Sequence, residues 1–306
     1  YIGYTAVDNS MLQGYIPVLG IFGIGFLIVL ISQIFLTLLG SIRGLTKRKS
    51  LYLSSLALMI IFISNQPLEN INWTGSTGKI SATVVQPNID IKEKWTQKGL
   101  QKIQSAIEKK LNQNPPQNLT QSSVIFWPEV TLTSLIQKDR INEFSNNILN
   151  ENNMLGMVIG VLSENKTEEI NNSLIGIGNV SGIYDKTFLV PFGEYVPLSG
   201  LFSVFFDFFN FNRPQIFSGN KNELIGNDFI KISSAICYEI AYQNVFLSNS
   251  KKTNILFNAS NDNWFGNGLG PHQHLQIARF RAAEHQKYLV RSTSTGISAL
   301  INHHGQ

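Results

Sequence analysis

From Ile16 to Leu39 the chain carries no charged side chain and is almost wholly apolar. At about 1.5 Å per residue, a helix over this run is long enough to cross a hydrocarbon core of about 30 Å. Any fold for the chain therefore has to keep one long segment out of water, and the run predicts a transmembrane helix over about 16–39. A short basic stretch follows, with Arg43, Lys47, Arg48 and Lys49. Lysine and arginine concentrate on cytoplasmic loops, so this stretch marks the cytoplasmic side. Leu51–Ile63 is a second apolar run, short for a span by itself. It predicts a second helix over about 50–66, spanning or half-inserted. If it spans, everything after Pro67 lies outside the cytoplasm.

Residues 1–66 thus read as a membrane segment and 67–78, polar with Pro and Gly, as a linker. Residues 79–306 change character. Strand-like runs at 80–85, 124–126, 157–161, 230–236, 254–258, 289–292 and 297–301 alternate with helical spacing at 93–111, 141–150 and 273–286. Runs at 173–177 and 182–184 suggest a hairpin. Such alternation predicts an α/β sandwich with mostly buried sheets. The chain opens on Tyr1 and stops at Gln306 just after a strand-like run, and reads as a piece of a longer protein lacking N-terminal helices and a C-terminal end. The net charge is +4, but the basic residues are scattered, which argues against nucleic acid as a partner. A single cysteine excludes an internal disulfide.

That cysteine, Cys237, falls where the run ending at Ile236 stops and a helix-capable stretch begins. A residue at a strand-to-helix corner projects into open space above a sheet, where α/β enzymes keep nucleophiles. Two other ionisable residues sit at comparable places. Glu129 follows the run ending at Phe126, and Lys186 follows the run ending at Tyr184. A thiol with an ordinary pKa of about 8.5 needs a base. A buried carboxylate supplies one. A lysine supplies the positive charge that steadies a tetrahedral oxyanion.

The ordered motifs Val84-Val85-Gln86-Pro87-Asn88, Trp127-Pro128-Glu129, Tyr184-Asp185-Lys186, Leu189-Val190-Pro191-Phe192-Gly193-Glu194, Ile236-Cys237-Tyr238-Glu239 and Asn261-Asp262-Asn263-Trp264-Phe265-Gly266 resemble the nitrilase, or carbon–nitrogen hydrolase, superfamily. Gly270-Pro271 with Gln273-His274, and Arg291-Ser292-Thr293, extend the match. With the apolar segment and Leu-Val-Pro-Phe-Gly-Glu, the chain is similar to that superfamily's membrane-anchored branch, the apolipoprotein N-acyltransferases of bacterial envelopes. The resemblance implies a nitrilase-like αββα sandwich behind transmembrane helices. It implies Cys237 as nucleophile, Glu129 as general base and Lys186 as oxyanion-stabilising cation. Glu194 and Glu239 are implied as supporting residues. The Tyr238 N–H is placed to complete the oxyanion site, and Trp127 and Trp264 either wall the pocket or pack in the core.

Leu201–Phe211 holds Phe202, Phe205, Phe206, Phe208, Phe209 and Phe211 with one charge, Asp207. Exposed apolar patches of this kind mark membrane or ligand contact, so Phe205, Phe206 and Phe209 are expected in a lipid-facing arm. The expected reaction is acyl transfer from a phospholipid donor, through a Cys237 thioester, to the α-amine of a diacylglyceryl-cysteine apolipoprotein. It needs neither metal nor diffusible cofactor. The expected place is the bacterial inner membrane, multi-pass, with the catalytic domain facing the periplasm. The alternative is a membrane-tethered amidase or nitrilase acting on small amides.

Overall fold

The computed structural model describes residues 1–42, 48–111, 123–148, 155–191, 193–195, 216–220, 223–266 and 268–306. They fall into two compact units. One comprises Tyr1–Ser76, Leu275–Leu289 and Ile301–Gln306, the other Thr77–His274 and Val290–Leu300.

In the first unit, α1 (Ile16–Ile42) and α2 (Arg48–Glu69) are each long and apolar enough to cross a membrane. Phe22, Phe26 and Phe35 on α1, and Tyr52, Ile60 and Ile63 on α2, are exposed, an apolar surface of the kind lipid covers. α2 exceeds the apolar run 51–63 because polar residues extend it at both ends, so the connector starts at Asn70. α1 breaks at Gly20, whose φ of 59° is open to glycine at little cost. The break frees the Ile21 N–H, which donates to the Glu284 carboxylate at 3.1 Å. Glu284 is paired with Arg281, which also donates to the Tyr4 hydroxyl at 2.9 Å. A negative partner at a helix start suits the helix dipole.

The second unit carries the strands. One sheet runs β1 (Ser81–Val84), β2 (Ser123–Phe126), β4 (Leu155–Glu164), β5 (Ile170–Gly178), β6 (Gly182–Asp185), with β3 (Leu132–Gln137) beside β2 on β4. β1, β2 and β4 are parallel, and β4, β5 and β6 antiparallel, so the hairpin expected at 173–184 is present. The other sheet runs β11 (Ala299–Ile301), β10 (Leu289–Thr293), β9 (Ile255–Ser260), β8 (Lys231–Ile236), β7 (Ile225–Gly226), with β8 parallel to β9.

Strand alternation explains the layers. Val124 and Phe126 of β2 face Ile232 and Ile236 of β8 and Phe257 of β9, so the two sheets meet in one apolar core. Ile125 and Trp127 turn the other way, against Ile103 and Ile107 of α4 (Gln97–Leu111). An α/β sandwich of two mixed sheets is what the alternation of strands and helices predicts. Two local expectations change. The helix expected over 93–111 is two, α3 (Ile91–Lys94) and α4, because the Thr96 hydroxyl accepts the Gly99 N–H and starts a new helix. β3 is absent from the expected strands because it is half-exposed and mixed in polarity, without clean alternation.

Candidate active site

Three strand ends carry the three expected residues. β2 ends at Phe126, and Trp127 and Pro128 lead to Glu129. Gly160 of β4 lets this turn lie close, since a Cβ there would sit 2.3 Å from the Pro128 carbonyl oxygen. β6 ends at Asp185, immediately before Lys186. β8 ends at Ile236, immediately before Cys237, which opens a short 3₁₀ turn, Cys237–Ala241. Cys237 has φ of 56°, a conformation uncommon for a residue with a side chain and one that occurs at functional turns.

Lys186 is 1% exposed and lies between two carboxylates. Its Nζ is 2.8 Å from Glu194 Oε1 and 4.0 Å from Glu129 Oε1. Glu194 also accepts the Val190 N–H at 2.8 Å, which fixes the loop carrying it. Glu239, likewise buried, accepts four hydrogen bonds. They come from Ile236 N–H at 2.8 Å, Thr187 N–H and Thr187 Oγ at 2.7 Å, and Phe188 N–H at 3.0 Å. It thereby ties the turn bearing Cys237 to the segment just after Lys186.

The charges are strongly coupled. Burial pushes the Glu129 carboxyl above the usual range, and Lys186 and the Asn172 hydrogen bond pull it back without cancelling the rise. Burial works against the Lys186 ammonium, but Glu129, Cys237 and Glu194 outweigh it, so the lysine stays charged. Burial, then the Glu129 carboxylate, pushes the Cys237 thiol up to about 12, against Lys186, the Ser260 hydroxyl and the Tyr238 N–H. Burial thus leaves the thiol neutral at rest beside a charged lysine.

Tyr238 is exposed beside the thiol. Trp264, 72% exposed on the 3₁₀ turn Asp262–Phe265, is open to solvent. Trp127 is 0% exposed and packs in the core with Ile103 and Ile107. Of the two readings left open for it, core packing is the one this burial fits, because strand alternation carries it to the α4 face. Phe205, Phe206 and Phe209 lie outside the described residues.

The structure adds partners to which the sequence assigned no role. Asn172 on β5 donates to Glu129 Oε1 at 2.8 Å and reaches Glu194 Oε1 at 3.4 Å. Buried Lys94 donates to the Glu129 carbonyl oxygen at 3.1 Å, and burial lowers it to about 8 although Glu129 opposes this. His274, in the first turns of α5 (Gly270–His285), sits behind Cys237 with Nε2 3.1 Å from the Cys237 carbonyl oxygen and Nδ1 3.0 Å from Asp262 Oδ1. Burial, with Arg291, lowers the basicity of His274, and Asp262 opposes them. Among the described residues no cluster of His, Cys, Asp and Glu is arranged to hold a metal ion.

Two mixed sheets packed face to face, with a thiol, a carboxylate and an ammonium at three strand ends, match a known class. The chain belongs to the carbon-nitrogen hydrolase family, whose profile matches residues 81–306. Its fold is similar to that of Saccharomyces cerevisiae Nit3, a member of branch 10 of the nitrilase superfamily (TM-score 0.51, 18% identity, 75% of this chain and 86% of that one). Within the class, the sequence is 32% identical to an apolipoprotein N-acyltransferase of Haemophilus influenzae over 99% of this chain. It is 30% identical to those of Pseudomonas syringae pv. tomato and Coxiella burnetii, over its whole length. The chain spans 60% to 62% of the length of these three relatives.

Proposed function

We propose that the protein transfers an acyl chain from a membrane phospholipid to the N-terminal α-amine of a diacylglyceryl-cysteine apolipoprotein. One observation carries this reading above a tethered amidase. The similarity to N-acyltransferases continues through the two apolar helices and covers 99% of the chain, whereas the likeness to Nit3 covers 75%.

In this reading Glu129 takes the proton from Cys237 as sulfur attacks the ester carbonyl carbon of the donor. The tetrahedral oxyanion faces the Lys186 ammonium and the Tyr238 N–H. Its collapse breaks the ester C–O bond, Glu129 returns the proton to the leaving oxygen, and a lysophospholipid departs from a thioester on Cys237. The acceptor amine then attacks the thioester carbonyl and passes a proton to Glu129. The second collapse forms the amide and releases the Cys237 thiol. Splitting the transfer at an acyl-enzyme implies ping-pong kinetics. Glu194 holds Lys186, and Glu239 holds the turn and the Lys186 segment together. The catalytic unit faces the periplasm of a bacterial inner membrane, and residues 79–306 form the catalytic domain after a linker at 67–78.

The experiment follows masses. Incubation of the detergent-solubilised protein with phospholipid and a diacylated lipopeptide is expected to add one acyl chain to the lipopeptide. Phospholipid alone is expected to leave an acyl adduct on Cys237. Cys237→Ser, Glu129→Gln and Lys186→Ala are each expected to abolish transfer. Turnover without any adduct in rapid-quench samples refutes the acyl-enzyme, and a lipopeptide of unchanged mass refutes the acyltransferase.

A further inference from the structure

Behind the turn that carries Cys237 lies a polar network that the proposed chemistry does not use. His274, Asp262, Asn258, Ser260 and Arg291 are all buried, at no more than 1% exposure. Two of them converge on one atom, the Cys237 carbonyl oxygen. His274 Nε2 lies 3.1 Å from it, and Asn258 Nδ2 donates to it at 3.3 Å while also donating to the Ala235 carbonyl at 3.0 Å. The rest of the network holds these two in place. Asp262 takes His274 Nδ1 on one oxygen, together with the Ser260 hydroxyl at 2.8 Å, and Arg291 on the other at 2.8 Å. Arg291 also donates to Asn258 Oδ1. Gly296 lies so close to Asp262 that a Cβ there would meet its Cβ at 2.7 Å, so the carboxylate is boxed in.

We infer that His274 is a positioning residue for the acyl-transfer site, aiming the Tyr238 N–H at the oxyanion by pinning the Cys237 carbonyl. The inference rests on the proposed acyl-enzyme chemistry. The geometry behind it is elementary. Cys237 C=O and Tyr238 N–H belong to one planar trans peptide and point in opposite directions. Cys237 sits at φ of 56°, a conformation that this residue type does not hold unaided. Fixing the carbonyl on the buried side therefore fixes the N–H on the opposite side, where it favours the ionised form of the Cys237 sulfur. A donor on the carbonyl also polarises the peptide and strengthens its N–H as a donor. Nε2 faces the Cys237 carbonyl oxygen, so a proton on that nitrogen donates to it.

The test separates an oxyanion from a thiol. Cys237 is acylated with p-nitrophenyl octanoate, a step that passes through an oxyanion and releases p-nitrophenolate. In parallel it is alkylated with iodoacetamide, a displacement that forms none. His274→Ala is expected to slow acylation by about 10- to 100-fold, a loss approaching that of a missing oxyanion donor, with alkylation within about threefold of wild type. His274→Gln, whose amide N–H replaces the Nε2–H, is expected to recover most of the acylation rate, and it decides the matter should the alanine variant fail to fold. Parallel losses in both reactions, no loss in either, or no recovery with glutamine would each overturn the inference. Wild-type protein acylated by the activated ester but not by phospholipid counts against the proposed substrate alone and leaves the aiming role standing. Wild-type protein that is alkylated but never acylated by the ester overturns the aiming role as well.

Discussion

Replacing the base with its neutral isostere is expected to push two readouts of the same sulfur in opposite directions. In the resting site the Cys237 thiol is raised to about 12, burial first and the Glu129 carboxylate second. At pH 8 that leaves a thiolate fraction of about 10⁻⁴, since each unit is a factor of ten. Below its pKa the thiol is neutral, so alkylation by iodoacetamide is expected to rise about tenfold per pH unit between pH 7 and 10, with no plateau. In Glu129→Gln the like charge is gone, while Asn172, 2.8 Å from Oε1, still has an oxygen to donate to. Loss of a neighbouring carboxylate lowers a thiol pKa by about 1–3 units, so alkylation at pH 8 is expected to speed up by about 10- to 1000-fold. Acylation is expected to fall by about 10²–10⁴-fold, because the amide cannot accept the thiol proton during attack. The assay is a pair of rate profiles on one protein, read by intact mass. An alkylation plateau below pH 8 in the wild type shows a thiolate already formed beside Lys186. Slower alkylation in the variant shows that Glu129 helps ionise the thiol at rest. Either result refutes the reasoning.

Glu239→Gln keeps one oxygen for the Thr187 and Phe188 donors and turns an amide NH₂ against the Ile236 N–H, or the reverse. Unsatisfied buried donors make it about 2–4 kcal/mol less stable, read as a lower Tm in detergent, and an unchanged Tm refutes the tie. A reporter active only outside the cytoplasm, fused after Asn220, is expected to be active, as the basic stretch before α2 predicts. Activity of a cytoplasm-only reporter there reverses the topology.

The sequence placed Glu129, Lys186 and Cys237 because each follows a short apolar run, and strand ends are visible in such runs. Their neighbours were not legible, for a specific reason in each case. Asn172 follows Asn171, and nothing in the pair says which one faces Glu129. Lys94 stands among Lys92 and Lys98 and reads as one more solvated lysine, yet it is buried against the Glu129 turn. His274 lies two residues after His272, and only the placement of α5 decides which ring reaches the Cys237 carbonyl. Trp127 stood open between pocket and core because its neighbours are Pro128 and Glu129, and counting alternation one residue past β2 sends it into the core. The sandwich itself was legible because β2 and β4 are near-continuous apolar runs, as strands buried on both faces are.

The left-handed backbone at Cys237 also restricts which amino acids could ever serve there. For an ordinary side chain this conformation costs on the order of 1 kcal/mol, and for one branched at Cβ considerably more. Serine fits the space but offers a far less acidic group. Threonine, a nucleophile on other scaffolds, meets the larger backbone cost before its chemistry is asked anything. Glycine would relax the turn and leave it inert. A lineage that drifts from thiol to threonine at position 237 would therefore have to accommodate the turn as well as the base, and one that drifts to serine the base alone. The shape of one residue's backbone thus helps keep the chemistry of the site to sulfur.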